Sequence, residues 1–199
     1  MGQYYKAIVQ NDHKTITMQP WHYDSGGKLT EHGWMGNWFT NAVISRIENN
    51  PAKVGWIGDY SNDQNPHGRS CPDSIYKKVW KDEEAEDDYK VNIYDRNLFL
   101  KLDEDGHIVD TVGLGFLINR TKRQYIDLEA YAKEAKDHES WALSPLPMLT
   151  AVGNGLGGGD YHGCNQDMVG YWFMDVLEFS REKKPTGYTD ITMDCIFKE

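Results

Sequence analysis

Residues 154–163 read Asn154-Gly-Leu-Gly-Gly-Gly-Asp-Tyr-His-Gly163, and five of the ten are glycine. Glycine loses more backbone freedom on folding than any other residue. Such a loop therefore stays ordered where the backbone must take positive φ or where something approaches it closely. Successive glycine N–H groups can converge into a nest for an anion, and a phosphate would suit one. The polar end, Asp160, Tyr161 and His162, adds a carboxylate, a phenol and an imidazole. Asp160 and His162 stand two apart, so an extended backbone puts both on one face. That pair suits acid–base chemistry or a metal ion. The stretch is not a P-loop, because no Gly-Lys-Ser/Thr follows, and the dinucleotide fingerprint is present only in fragments.

Two other places combine polar and aromatic residues in the same way: Glu31-His32-Gly33-Trp34 and Gly58-Asp59-Tyr60. If all three converge, the candidate ligand contacts are Asn154, Gly155, Gly157, Gly158, Gly159, Asp160, Tyr161 and His162 from the loop, joined by Trp34, Asp59 and Tyr60. The candidate catalytic groups are His162, His32 and Asp160. Each has a plainer reading. A lone histidine is more often a hydrogen-bonded structural residue than a base. A lone Trp or Tyr is more often core than a stacking platform. A glycine loop can simply pack against a neighbouring strand.

Other chemistries are less supported. HxxxH, HExxH and CxxC spacings are absent, so no metal site is expected. Asp103-Glu-Asp-Gly106 lacks the downstream glutamate of a calcium loop. No cofactor is expected; Mg²⁺ would enter only beside a phosphorylated ligand, on one or two carboxylates. Cys164 follows His162 by two residues but sits in no known nucleophile frame. The basic turn Arg120-Thr-Lys-Arg123 is either a solvated hairpin tip or a contact for a phosphate or an acidic partner.

The whole chain narrows the partners. It has 199 residues, formal charge -10 and pI about 5.1, which argues against broad nucleic-acid binding. One globular domain over residues 1–199 is expected, burying roughly 70% of the surface an unfolded chain exposes. The three cysteines are odd in number and widely spaced, which fits a reduced, cytoplasmic protein. No apolar run has transmembrane or secretory-signal character, so no membrane association is expected.

The elements that must position these residues follow from periodicity. Residues 4–10 and 15–18 read as an antiparallel pair around a turn at 11–14. Asn37 is a natural N-cap for a helix burying Trp38, Phe39, Ala42, Val43 and Ile47, ended by Asn49-Asn50-Pro51. Residues 53–60 read as a strand delivering Asp59 and Tyr60 to its end. A helix from Pro72 buries Ile75, Tyr76, Val79 and Trp80. Strands are expected at 91–94, 98–102 and 107–112, then a hairpin of 114–119 with 124–128. Asp127 caps a third helix, and residues 169–179 and 189–197 read as the last two strands. Without βαβ alternation, these predict an α+β fold: a mainly antiparallel sheet with two or three helices.

Several pieces resemble a family of small bacterial and bacteriophage proteins of no established activity. They are Met1-Gly-Gln-Tyr-Tyr-Lys, Leu29-Thr-Glu-His-Gly-Trp-Met-Gly-Asn37 and Trp56-Ile-Gly-Asp-Tyr60, followed by the stretches at 118–128, 145–150 and 154–161. The resemblance carries no catalytic residues with it and implies a cytoplasmic prokaryotic or viral setting. Together with the glycine loop it leads to a binding, even sequestering, protein for a small phosphorylated, nucleotide-like ligand. Two alternatives stay open. One is a hydrolase acting on such a ligand with His162 or His32 as base. The other is a protein-interaction module, such as a phage inhibitor of a host enzyme, using the acidic run at 82–88.

Overall fold

The computed structural model describes residues 2–62, 70–81, 86–87, 101–102, 108–110, 114–135, 143–155, 166–182 and 184–196. Its centre is β1 (Tyr5–Gln10), flanked by β2 (Thr15–Met18) on one side and β3 (Ala52–Gly58) on the other, both antiparallel to it. The register of β1 on β3 runs from Tyr5↔Gly58 to Gln10↔Lys53. The turn between β1 and β2 is closed by Asn11, whose side-chain oxygen accepts from the N–H groups of His13 and Lys14.

The sheet grows outward from this trio. β4 (Glu86–Asp87) runs parallel to β2. Beyond β3 lie β10 (Val176–Ser180), β7 (Phe116–Asn119), β8 (Gln124–Asp127) and β11 (Thr189–Asp190), in that order. β9 (Ala151–Val152) also pairs with β3, in parallel, through Trp56↔Ala151 and Ile57↔Val152. It thus lies beside the second half of β3, while β10 pairs with the first half at Lys53 and Ala52. A separate two-stranded pair joins β5 (Lys101–Leu102) to β6 (Ile108–Asp110). The fold is α+β with a mostly antiparallel sheet.

Alternation along β1 and β3 gives the sheet two apolar faces. Tyr5, Ala7, Val9, Val54 and Trp56 point into the larger core, together with helix α2 (Trp38–Arg46). Ile8, Ile57 and Val152 point the other way and are covered by α3 (Asp73–Trp80) through Val79, Ile75, Tyr76 and Trp80. The expected caps are present. Asn37 accepts from Phe39 and Thr40 N–H at the start of α2, and Asp127 does the same for Glu129 and Ala130 in α4 (Leu128–Glu134). Two short helices add to these: α1 (Leu29–His32) and α5 (Pro145–Thr150).

Lys6 lies on the α3 side of β1 and is almost fully buried. Its ammonium donates to the carbonyl of Val79 in the last turn of α3, 3.3 Å away, and lies 4.6 Å from the centre of the Trp80 ring. A cation there meets the negative end of the helix, so Lys6 ties α3 to the sheet.

Two expectations are corrected. Residues 169–179 are not one strand: only Val176–Ser180 is, and 169–174 are turns. Gly170 and Met174 have φ of 69° and 56°, which a strand cannot contain. The N–H groups of Trp172 and Met174 instead donate to Leu149 and Val54 carbonyls. This sends Trp172 into the larger core and Phe173 and Met174 over Gly55 on the other face. In the last segment, Thr189–Asp190 is followed by a 3-10 turn at Met193–Cys195 rather than a continued strand. The strand expected at 91–94, most of the one at 98–102, the acidic run apart from 86–87 and the turn at 103–106 lie outside the described residues.

Candidate functional site at the ends of strands β3 and β9

The parallel pairing of β3 with β9 decides what comes together. Because Ile57 is opposite Val152, Gly58-Asp59-Tyr60 and Gly153-Asn154-Gly155 leave the sheet side by side. β1 runs antiparallel to β3, so its start, Gln3 to Tyr5, lies at the same end. The loop carrying Gly27 joins them, since the Tyr5 N–H donates to the Gly27 carbonyl at 2.8 Å. Polar loops at the carboxyl ends of parallel strands are a recurrent place for ligands, because rigid strands hold the backbone while the loops leave access.

At the centre of this end is Gln3, 1% exposed. Its side-chain oxygen accepts from the Tyr5 hydroxyl and from the Asn154 backbone N–H, each at 3.2 Å. A backbone N–H can only donate, so the oxygen must face Asn154 and the NH₂ must point away. The amide lies against two glycines, Gly58 at the end of β3 and Gly153 just after β9. A Cβ on Gly153 would sit 2.2 Å from the Tyr5 hydroxyl and 2.5 Å from the Gln3 oxygen; one on Gly58 would sit 2.3 Å from the Gln3 nitrogen. A side chain at either position would push the Gln3 amide or the Tyr5 hydroxyl out of its present place. The Gln3 nitrogen is itself buried and finds no hydrogen-bond partner among the described residues. An unmet buried donor costs about 1–3 kcal/mol.

Asp59 is a junction. Its backbone N–H donates to the Tyr4 carbonyl, its carboxylate accepts from the Tyr4 N–H at 3.1 Å, and its carbonyl accepts from the Tyr76 hydroxyl at 2.8 Å. It fixes the start of β1, the end of β3 and α3 to one another. Tyr60 and Tyr4 both keep substantial exposed ring surface, at 37% and 49%. Asn154 and Gly155 are the described part of the glycine stretch, and Gly155 takes φ of 69°. Gly157, Gly158, Gly159, Asp160, Tyr161, His162 and Cys164 lie outside the described residues.

The third polar–aromatic group behaves differently. His32 is fully buried, with Phe39 edge-on at 5.0 Å and the Trp56 ring at 6.4 Å between centres. The Trp56 indole N–H donates to His32 Nε2 at 3.0 Å, and Nδ1 lies 2.8 Å from the Gly26 carbonyl. An indole nitrogen only donates and a carbonyl only accepts, so the ring is neutral with its proton on Nδ1. Burial pushes its pKa down to about 4, against a smaller opposite pull from the Gly26 hydrogen bond. Both nitrogens are committed, which leaves neither for a substrate proton. Trp34 is half-buried, bridges to Leu143 and donates its indole N–H to the Glu31 carbonyl.

No protein-family model, curated protein or solved structure matches this chain significantly. The site is therefore read from its own geometry. Among the described residues no group of three His, Cys, Asp or Glu side chains is placed to hold a metal ion, and no helix is long and apolar enough to cross a membrane. Cys71 and Cys195 are buried thiols, both pushed up to about 12 by burial, so neither supplies a thiolate at neutral pH.

The sequence reading missed Gln3, Tyr4 and Tyr5 as site residues. Their signal was weak: a glutamine and two tyrosines opening a strand look like ordinary strand composition. A second polar cluster, at the far edge of the sheet, joins Tyr125, Asp190 and Thr192. The Tyr125 hydroxyl and the Thr192 hydroxyl donate to the two oxygens of Asp190 at 2.8 and 2.6 Å. Burial works against ionisation of Asp190, but hydrogen bonds from the Thr192 hydroxyl and N–H and the Tyr125 hydroxyl, with the charge of Lys184, together hold the carboxyl below its ordinary range. That cluster fastens β11 to β8.

Proposed function

We propose that this protein binds a small, phosphorylated, nucleotide-like ligand at the joint carboxyl ends of β3 and β9, in a cytoplasmic setting. The observation that carries the reading is the adjacency of Gly58-Asp59-Tyr60 and Gly153-Asn154-Gly155 around a buried carboxamide with a spare donor. Strand pairing fixes the root of the glycine stretch beside the polar end of a second strand. Tyr60 follows Asp59 in the chain, Tyr4 donates its backbone N–H to the Asp59 carboxylate, and the exposed surface of both tyrosines is available to a planar group. Glycine N–H groups from residue 155 onward would take the anion. Mg²⁺ would accompany the phosphate where Asp59 or Asp160 supplies a carboxylate. His32 has no part in this reading.

Thermal unfolding against nucleoside phosphates, cyclic nucleotides and sugar phosphates, with and without Mg²⁺, tests it. A ligand at a hundred times its Kd stabilises by about 2.7 kcal/mol. For a domain of this size that raises Tm by roughly 5–10 °C. One chemical class is expected to give that rise, and a flat panel overturns the proposal.

A further inference from the structure

A groove of about 300 Å³ opens where the β1–β2 hairpin meets the last turn of α2, at the opposite end of β1 from Gln3. Asn11 and Lys14 line it from the hairpin turn, and Ser45 and Arg46 from α2. Val9 and Ile16, register partners across the hairpin, line it with apolar surface. We propose that this groove binds a small aliphatic dicarboxylate. One carboxylate lies on the Arg46 guanidinium, the other on the Lys14 ammonium, and the chain between them rests against Val9 and Ile16. This site is separate from the one at β3 and β9 and does not depend on it.

The carrying observation is a reversal of charge. The chain has a formal charge of -10, yet the groove is lined by two cations and, among the described residues, by no acid. A concave cationic lining collects anions. The cations come from different elements, so a ligand with two separated charges can engage both. The fork of Arg46 matches a carboxylate, and Lys14 acts as a point charge. Asn11 adds a neutral donor: its oxygen accepts from the His13 and Lys14 N–H groups, which leaves its NH₂ to donate. The carbonyl end of α2 would by itself oppose an anion. Here the Ile44, Ser45 and Arg46 carbonyls already accept from the N–H groups of Ile47 and Glu48 and from the Asn50 amide. Glu48 is engaged by Arg181 at 2.6 Å.

The lining also sets what the ligand lacks. It holds no aromatic ring on which a base could stack. An ammonium on the ligand would meet two cations and no carboxylate, which disfavours an amino acid. The volume is at the small end of ligand pockets and suits a chain of a few carbons.

Backbone amide NMR titration at low ionic strength tests this with four probes: glutarate, pentanoate, glutamate and inorganic phosphate. Glutarate and pentanoate share a five-carbon chain and differ by one carboxylate, and glutamate adds an ammonium to glutarate. The expected result is that glutarate shifts residues 9–16 and 45–50 and binds at least tenfold more tightly than each other probe. In Lys14→Gln and Arg46→Gln, shown to fold by thermal unfolding, the gap between glutarate and pentanoate is expected to close. Glutarate binding no tighter than pentanoate, glutamate or phosphate overturns the proposal, and these wild-type comparisons need no variant. Glutarate shifts elsewhere in the chain, no shifts with any probe, or a gap that persists in both variants also overturn it.

Discussion

His32 shows how a residue chosen for chemistry can be held by packing. Its neutral ring accepts the Trp56 indole N–H and donates to Gly26, so protonation would break one bond and bury a charge. The folded pKa, about 4, lies below the unfolded value near 6.5. The native state therefore resists a proton that the unfolded chain accepts. This part of the stability is complete above pH 6.5 and is lost as pH falls from there towards 4. The shift corresponds to about 3 kcal/mol. Urea unfolding at pH 7.5 and pH 4.5 is expected to show this loss in wild type. In His32→Gln, which has no group to titrate, the fall between the two pH values should shrink by about that amount. An identical pH dependence in both proteins would mean that the ring is not held neutral.

At the scale of elements, local signals placed the helices well. Asn37 and Asp127 were legible as caps because a short polar side chain before an apolar helical repeat has few other uses. Asn37→Ala removes acceptors from the N–H groups of Phe39 and Thr40, both buried under the large core. It is expected to cost about 1–2 kcal/mol, read as a lower urea midpoint with an unchanged slope. The β1–β2 and β7–β8 hairpins were legible for a similar reason, since sequence neighbours pair across short turns. Residues 169–174 were misread because their aromatic composition matches a strand. The two positive-φ positions that break it, Gly170 and Met174, are fixed by hydrogen bonds to distant segments. The β3–β9 pairing was out of reach for the same reason: two residues of β9 meet a strand almost a hundred positions earlier, and no local pattern announces it.

At the scale of the molecule, the adjacency of Gly58-Asp59-Tyr60 to Gly153-Asn154-Gly155 depends on that pairing and on nothing local. Asp59 and Asn154 are brought to one end of the sheet, and His32 is placed beneath it in the core. The opposite end of the β1–β2 hairpin carries a different feature, a groove of about 300 Å³ lined by Val9, Asn11, Lys14, Ser45 and Arg46. Its two cations make it the natural competitor for a phosphate on an acidic chain. The most direct measurement is therefore the map of backbone amide NMR shifts during titration with a nucleoside monophosphate. The account predicts that the shifts concentrate at Gln3 to Tyr5, Gly58 to Tyr60 and Gly153 to Gly155, at the ends of β1, β3 and β9. Shifts confined to Asn11, Lys14, Ser45 and Arg46, or no shifts at all, would contradict it.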